Sequence, residues 1–382
     1  MKILYITTKA TYGGVQTHIL QCAKYMLSNN NIVAVMAYPN NDEGLEGEIK
    51  KLNIDFFPNK FLKNSFNPIY GIRAVFRIRK VVKEFKPNLI SCHSSSAGFW
   101  GRLAVLNKVP VVFTAHGWGF TNGVSFFRFF IALITEKITS FLCKKIICVS
   151  ENDRNLAIKY KIASENKLIA IYNGVETDEI KFNLDLKLKY KLNKKIPIIF
   201  VGRLSNGKNP EQLIKVFTQL PKKLQEISQI YIIGDGKKRK MLENLIVVNN
   251  ISNSVYLLGE LKREEVLAFL SECINFSKNN CGIFTLISDH EGFPRSILEA
   301  MRFGYAVIAS DVGGIKEVVS EDVGFLIDKN NNNILKNKLQ FLLENPNKIK
   351  EMGEKGERKI FKDFSLESML QKTVKVYESI IK

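Results

Sequence analysis

The sequence predicts an α/β protein built from two doubly wound parallel sheets, and three observations predict it. Short apolar runs alternate with amphipathic stretches along nearly the whole chain, several runs are apolar on both faces, and the alternation lapses once and then restarts. The length of 382 residues suits two domains of ordinary size. A composition of 46% hydrophobic and 24% charged residues excludes a disordered chain, a collagen-like fibre and a small disulfide scaffold.

In the first half, KILYITT, NIVAVMAY, IDFF, NLISCHS, VVFTAHG, KIICVS and KLIAIYN read as strands. Helix-like segments such as VQTHILQCAKYML and AGFWGRLAVLNK separate them. The polar, poorly periodic stretch NGVETDEIKFNLDLKLKYKLNKK interrupts the pattern, and IPIIFVGRL restarts it. QIYIIGDG, SVYLLG, GIFTLIS, AVIASDVGG and GFLID continue the series, and SLESMLQKTVKVYESIIK reads as a closing amphipathic helix. The expected organisation is a domain over 1–173, a linker over 174–195 and a domain over 196–364, with a helix at about 365–382 that packs back on the first domain. Two such sheets in tandem predict a cleft facing their carboxyl ends, where ligands of doubly wound folds bind.

The formal charge is +19, and its distribution is uneven: residues 51–150 carry 15 basic and 3 acidic side chains. Within that stretch NPIYGIRAVFRIRKVVKEF (67–85) places Ile72, Val75, Ile78, Val82 and Phe85 at helical spacing, with Arg73, Arg77, Lys80 and Lys83 on other faces. Such a helix suits an anionic lipid surface, a phosphate-bearing acceptor or nucleic acid, or else a solvated face over a buried stripe. No run reaches the roughly 18 apolar residues of a membrane span. The nearest approach, at 123–145, is interrupted by Arg128, Glu136 and Lys137. The six cysteines form no C-x-x-C pair and the amino terminus has no secretory apolar region, so free thiols in a cytoplasmic protein are expected.

The sharpest chemical signal is DHEGFPRSILEAMRFG (289–304), directly after a strand. Pro294 fits the first turn of a helix, Gly292 permits close backbone approach, and the free amides of that helix start form an anion site. Glu291 and Glu299 would sit at different points along an extended ligand, because Pro294 and Glu299 are about 7.5 Å apart along a helix. Carboxylates accept hydrogen bonds from vicinal hydroxyls, so one could hold a sugar and the other a ribose. In IIFVGRLSNGKNPEQLIKVF (198–217), Arg203 and Lys208 follow a strand and can neutralise a diphosphate from two sides. Gly13 and Gly14 open a helix after the first strand and suit phosphate. His116 in TAHGWGF lies at a strand end, whereas His18 and His93 attract no comparable argument.

Absences narrow the chemistry. Neither GG (13–14) nor GDG (234–236) completes G-x-G-x-x-G, so a nicotinamide dehydrogenase has little support. There is no D-x-D pair to hold a metal diphosphate, no phosphate-binding G-x-x-x-x-G-K-[ST] and no G-x-S-x-G nucleophile elbow.

Taken together, EGFPRSILEAM, FVGRLSNGKNPEQLI, GGVQTHIL, AHGWGF, CVSENDRNLA and YNGV resemble the retaining glycosyltransferases of family 4. The resemblance implies the GT-B architecture, two Rossmann-like domains facing a cleft, and transfer of a hexosyl unit from a nucleotide diphosphate sugar. It implies that Glu291 binds hydroxyls of the donor sugar and Glu299 the ribose, and that Arg203 and Lys208 grip the diphosphate. It further implies that Gly13 and Gly14 contact phosphate, that His116 lies near the transferred sugar, that the backbone of Gly292, Phe293 and Pro294 lines the sugar pocket, and that Leu261 borders the base. No metal or other cofactor is expected beyond the donor, a UDP-sugar. The expected acceptor is a saccharide, lipid-linked, in surface polysaccharide or lipopolysaccharide synthesis at the inner face of the cytoplasmic membrane, whose anionic surface the protein meets. Arg295 departs from the usual pattern and either adjusts donor choice or points outward. Two other readings are a nucleotide-sugar epimerase of the same architecture and, from the basic first half, a nucleic-acid-binding protein, though no nucleic-acid fold is recognisable.

Overall fold

A computed structural model describes residues 1–11, 13–63, 67–121, 124–177, 190 and 192–381. The chain divides into two compact units, one of Met1–Asn173 with Glu367–Lys382 and one of Gly174–Leu366. Each unit holds one sheet whose pairings are all parallel. Most of the linker expected at 174–195 lies outside the described residues. Its first residues are ordered by pairing: Val175 N donates to Phe364 O at 3.0 Å and Leu366 N to Val175 O at 2.8 Å.

The first sheet has seven strands: β1 (Lys2–Lys9), β2 (Ile32–Tyr38), β3 (Asp55–Pro58), β4 (Leu89–His93), β5 (Val111–Ala115), β6 (Lys145–Cys148) and β7 (Leu168–Ala170). Their spatial order is β3-β2-β1-β4-β5-β6-β7. The second sheet has six: β8 (Ile196–Val201), β9 (Ser228–Ile233), β10 (Val255–Gly259), β11 (Ile283–Leu286), β12 (Ala306–Ser310) and β13 (Gly324–Ile327), in the order β10-β9-β8-β11-β12-β13. All thirteen apolar runs read as strands in the sequence form strands. The reason is burial on both faces: β4, β5, β11 and β12 are buried at every position because helices cover both sides of each sheet. In each sheet the winding reverses at one point, between β1 and β4 and between β8 and β11. Such reversals leave a crevice at the carboxyl ends of the strands.

The amphipathic helix Pro68–Phe85 forms as the sequence predicts, but its buried stripe is rotated. Gly71, Ala74, Ile78, Val81 and Phe85 face inward, while Ile72 is 55% exposed and Val75 and Val82 are half-buried. The cause is a close helix crossing. The ring of Trp100, on the helix Ser95–Val105, lies where a Cβ on Gly71 would stand, 2.0 Å away. The glycine therefore determines which face docks.

The same neighbourhood holds a buried ion pair. Arg102 Nη2 donates to Glu136 Oε2 at 2.6 Å, its Nε donates to Gly98 O at 2.8 Å, and its guanidinium stacks over Phe113 at 4.3 Å. Glu136 belongs to the helix Phe126–Ser140, so one of the three charged residues in this largely apolar segment serves an internal contact. The opposite face of that helix is apolar and exposed, with Phe126, Phe127 and the adjacent Phe141 at 80%, 74% and 75%. Among the described residues no helix is long and apolar enough to cross a membrane. All six cysteines are free thiols and buried.

Candidate active site

The second unit's site is built at the reversal between β8 and β11. After β8 the chain runs through Gly202, Arg203 and Leu204 into a turn at Ser205–Lys208, then into the helix Pro210–Thr218. Gly207 has φ +88, a left-handed value that a side chain would resist. The GDG segment, which fails as a nucleotide fingerprint, buttresses this turn from behind. Leu204 N donates to Asp235 O at 2.9 Å, and a Cβ at Gly234 would meet Gly202 O at 2.0 Å. Arg203 is thereby held at the strand end with an exposed guanidinium.

After β11 comes the loop that carries Glu291. Asp289 N donates to Gly207 O at 2.9 Å and Asn209 N to Ile287 O at 2.9 Å, so the two loops are stitched together by their backbones. That stitching brings Lys208 Nζ onto Glu291 Oε1 in a half-buried ion pair. Gly313, at φ +58, sits against the Glu291 carbonyl, where an added Cβ would be 1.7 Å away, and Gly314 N donates to Gly292 O at 3.1 Å. Lys238, which the sequence did not single out, fixes the lysine loop by donating to Lys208 O at 2.7 Å and Glu211 Oε1 at 2.6 Å.

Pro294 is the residue before the helix rather than its first turn. With ψ 110 it is extended, and the helix is Arg295–Arg302. Phe293 is buried and packs on Phe364 with ring centroids 5.6 Å apart. Arg295 does not point outward: it is 8% exposed. Glu299 projects from the fifth position of the helix and is also largely buried. Its carboxylate accepts from Arg263 Nε at 3.2 Å, and Arg263 Nη1 donates to Glu176 Oε1 at 3.1 Å. Arg263 opens the helix Arg263–Phe276, two residues past the half-buried Leu261. Neither Arg263 nor Glu176 carries a sequence signal, because their contacts span 36 and 87 positions.

In the first unit, Gly13 and Gly14 open the helix Gly14–Ser28 at the end of β1, beside the β1/β4 reversal. His116 follows β5. The sequence reading treated it as a lone histidine, and the structure corrects that. His18, from the helix after β1, and His93, the last residue of β4, lie against it, and one ring nitrogen from each of the three lies within 4.8 Å of the other two. His93 Nδ1 is 3.0 Å from His116 Nε2, and His93 Nε2 is 3.0 Å from Ser91 Oγ. Ser91 Oγ in turn lies 2.9 Å from Tyr377 Oη on the carboxyl-terminal helix Leu366–Ile381. Burial pushes the His93 imidazole well below the usual histidine range, and neighbouring His18 adds to the effect. No sequence signal joins the three: His93 ends β4, His18 and His116 follow β1 and β5, and only the strand order β1-β4-β5 brings them together.

Two parallel sheets, each with a glycine-containing loop at its reversal point, define a doubly wound, Rossmann-like architecture with a ligand crevice at each reversal, and similarity to known proteins identifies the class. The model "Glycosyltransferase Family 4" matches residues 12–179 and "Glycosyl transferases group 1" matches 185–359. A glycosyltransferase of Methanocaldococcus jannaschii is 30% identical over 100% of this chain and 99% of its own length. The O-antigen biosynthesis glycosyltransferase WbnH of Escherichia coli is 28% identical over 85% and 88%. An Escherichia coli UDP-Gal:alpha-D-GlcNAc-diphosphoundecaprenol alpha-1,3-galactosyltransferase is 30% identical over 69% and 68%. Among solved structures, Anabaena Alr3699/HepE in complex with UDP and glucose superposes with a TM-score of 0.81 at 20% identity, covering 100% of both chains. The chain belongs to the family 4 glycosyltransferases and has the GT-B fold.

Proposed function

We propose that this glycosyltransferase moves a hexosyl unit, with retention at the anomeric carbon, from a UDP-sugar to a lipid-linked saccharide in surface polysaccharide or lipopolysaccharide synthesis. The observation that carries this reading is the Lys208–Glu291 pair at the β8/β11 reversal, beside the start of the helix Arg295–Arg302. Similarity to O-antigen and capsular polysaccharide glycosyltransferases of Escherichia coli and Staphylococcus aureus supports the pathway class. The donor and acceptor named for the Escherichia coli galactosyltransferase support the choice of nucleotide and of lipid carrier.

In this reading Lys208 and Arg203 hold the diphosphate and Glu291 the sugar hydroxyls. Without donor, Lys208 and Glu291 neutralise each other; donor exchanges that contact for a phosphate on one side and hydroxyls on the other. The catalytic groups are thus charged and positioned in advance, which is how fixed electrostatics lower a barrier. Glu299 takes the ribose, Leu261 borders the base and the backbone of Gly292, Phe293 and Pro294 lines the sugar. In the amino-terminal unit Gly13 and Gly14 contact phosphate and His116 faces the transferred hexose. As the anomeric bond breaks, negative charge collects on the leaving diphosphate, where two cations and helix amides stabilise it. One phosphate oxygen accepts the acceptor's proton on the same face, which gives retention without a protein nucleophile and without a catalytic metal.

The units keep separate tasks in this proposal, with 196–364 taking the nucleotide sugar and 1–173 the acceptor. Basic residues near the exposed Phe126, Phe127 and Phe141 suit the anionic inner face of the cytoplasmic membrane. The test is label transfer by purified protein from a panel of UDP-, GDP- and dTDP-sugars to diphosphoprenyl-linked saccharide, with EDTA present. Label reaching lipid from a UDP-sugar is the expected result. Interconversion of the sugar nucleotide with no label in lipid would instead identify an epimerase, and a strict need for Mg²⁺ or Mn²⁺ would remove the metal-free mechanism.

A further inference from the structure

Three of the four histidines of the chain meet at one point in the amino-terminal unit, at the carboxyl ends of the adjacent strands β1, β4 and β5. The geometry points to a transition-metal site: His18, His93 and His116 bind one Zn²⁺ through three imidazole nitrogens and leave the fourth position open.

The distances suit a small tetrahedral ion. At Zn–N bonds of 2.0–2.1 Å, neighbouring nitrogens of such a site are about 3.3 Å apart. His93 Nδ1 and His116 Nε2 are already 3.0 Å apart, and the whole set falls within 4.8 Å, so closure needs a shift on the order of 1 Å. The cation takes the place of the proton lying between His93 Nδ1 and His116 Nε2, and that proton passes by way of solvent to the other nitrogen of its own ring, so each ligand stays a neutral imidazole. An outer shell is in place as well. In the tautomer that ligation requires, His93 Nε2–H donates to Ser91 Oγ, and Ser91 is held by Tyr377. This arrangement aims Nδ1 at the ion, as outer-shell partners of metal-bound histidines do. Three imidazoles without a carboxylate favour a borderline ion such as Zn²⁺ over Mg²⁺ or Ca²⁺, which take oxygen ligands.

A functional consequence follows, and it rests on the proposed function. If His116 faces the transferred hexose, a cation on its ring blocks that contact, so Zn²⁺ inhibits a transferase that needs no metal.

The experiment uses untagged, metal-stripped full-length protein. Co²⁺ is titrated while the visible spectrum is recorded, and Zn²⁺ is measured by competition with a chromophoric chelator. The expected result is one Co²⁺ per chain with tetrahedral d–d bands and no thiolate charge-transfer band. His18→Asn and His116→Asn each weaken Zn²⁺ by more than about 100-fold, beyond the 10–100-fold expected for the outer-shell change Ser91→Ala. Circular dichroism checks that each variant folds; Ser91→Ala, which keeps all three ligands, serves if a histidine variant does not. Absence of binding at micromolar Zn²⁺, retention of affinity in all three variants, or a thiolate band would overturn the site. Turnover measured with Zn²⁺ and after chelation tests the consequence separately. Binding without inhibition would leave the site standing and remove the role proposed for His116.

Discussion

Arg263 Nε donates to Glu299 Oε1 at 3.2 Å while the far side of the same guanidinium engages Glu176, so one arginine ties the helix carrying Glu299 to the segment just after residue 173. Glu299 is largely buried, and the hydrogen bond from Arg263 holds its carboxylate in one orientation. In the proposed donor site, where Glu299 takes the ribose, Arg263 would act as a positioning residue for that carboxylate.

Replacing Arg263 with alanine is expected to raise KM for the nucleotide sugar by roughly 10- to 100-fold, the range of a lost hydrogen bond to a charged group, with a smaller change in kcat. Lysine should restore part of the loss, since it keeps the charge but not the fork. Steady-state kinetics with varied donor decide the matter. An unchanged KM, or a fall in kcat alone, would contradict a positioning role.

Lys208→Ala and Arg203→Ala should each lower kcat by about 10²-fold or more at saturating donor, the scale of losing one preorganised stabilising group. Lys208→Ala also strips Glu291 of its ion-pair partner, so the donor KM should rise in that variant more than in Arg203→Ala. Near-normal turnover in either variant would defeat the assignment of leaving-group stabilisation.

The buried Arg102–Glu136 pair predicts a stability effect remote from the chemistry. Glu136→Ala leaves a fully buried guanidinium without its counter-ion and is expected to destabilise by about 3–5 kcal/mol. The double replacement Arg102→Met with Glu136→Leu should cost clearly less than the single change, because no charge remains uncompensated. Urea unfolding of both variants measures this. If the double variant is the less stable of the two, the pair contributes more than its desolvation cost.

The exposed aromatics of the helix Phe126–Ser140 predict lipid binding. Co-sedimentation with vesicles containing anionic lipid should drop in Phe126→Ser/Phe127→Ser and should weaken with salt, because Arg128 and Lys144, close by in sequence, are exposed cations. Equal binding to neutral vesicles, or no change in the variant, would count against a membrane-facing role for this surface.

Much of the candidate site was legible because it is local in sequence. Glu291, Gly292 and Pro294 lie within four positions, directly after a strand, and so do Arg203 and Gly202 in their own loop. The rest was not legible because it depends on contacts between distant segments. Arg263 reaches Glu299 and Glu176 only after two helices and a strand connection have packed. Likewise, Gly71 reads as an ordinary helical residue until Trp100 lies against it and turns Ile72 outward. Periodicity alone tolerates either stripe, and the packing partner chooses between them.

The amino-acid order by itself determined the thirteen strands, their parallel sense and the loops that follow them, since these depend on runs of apolar residues and on glycine and proline at fixed offsets. The tertiary structure alone decided which side chains meet. Three histidines at positions 18, 93 and 116 share no pattern along the chain. They converge because the sheet sets β1, β4 and β5 side by side, and strand order is a property of the folded sheet rather than of any one segment.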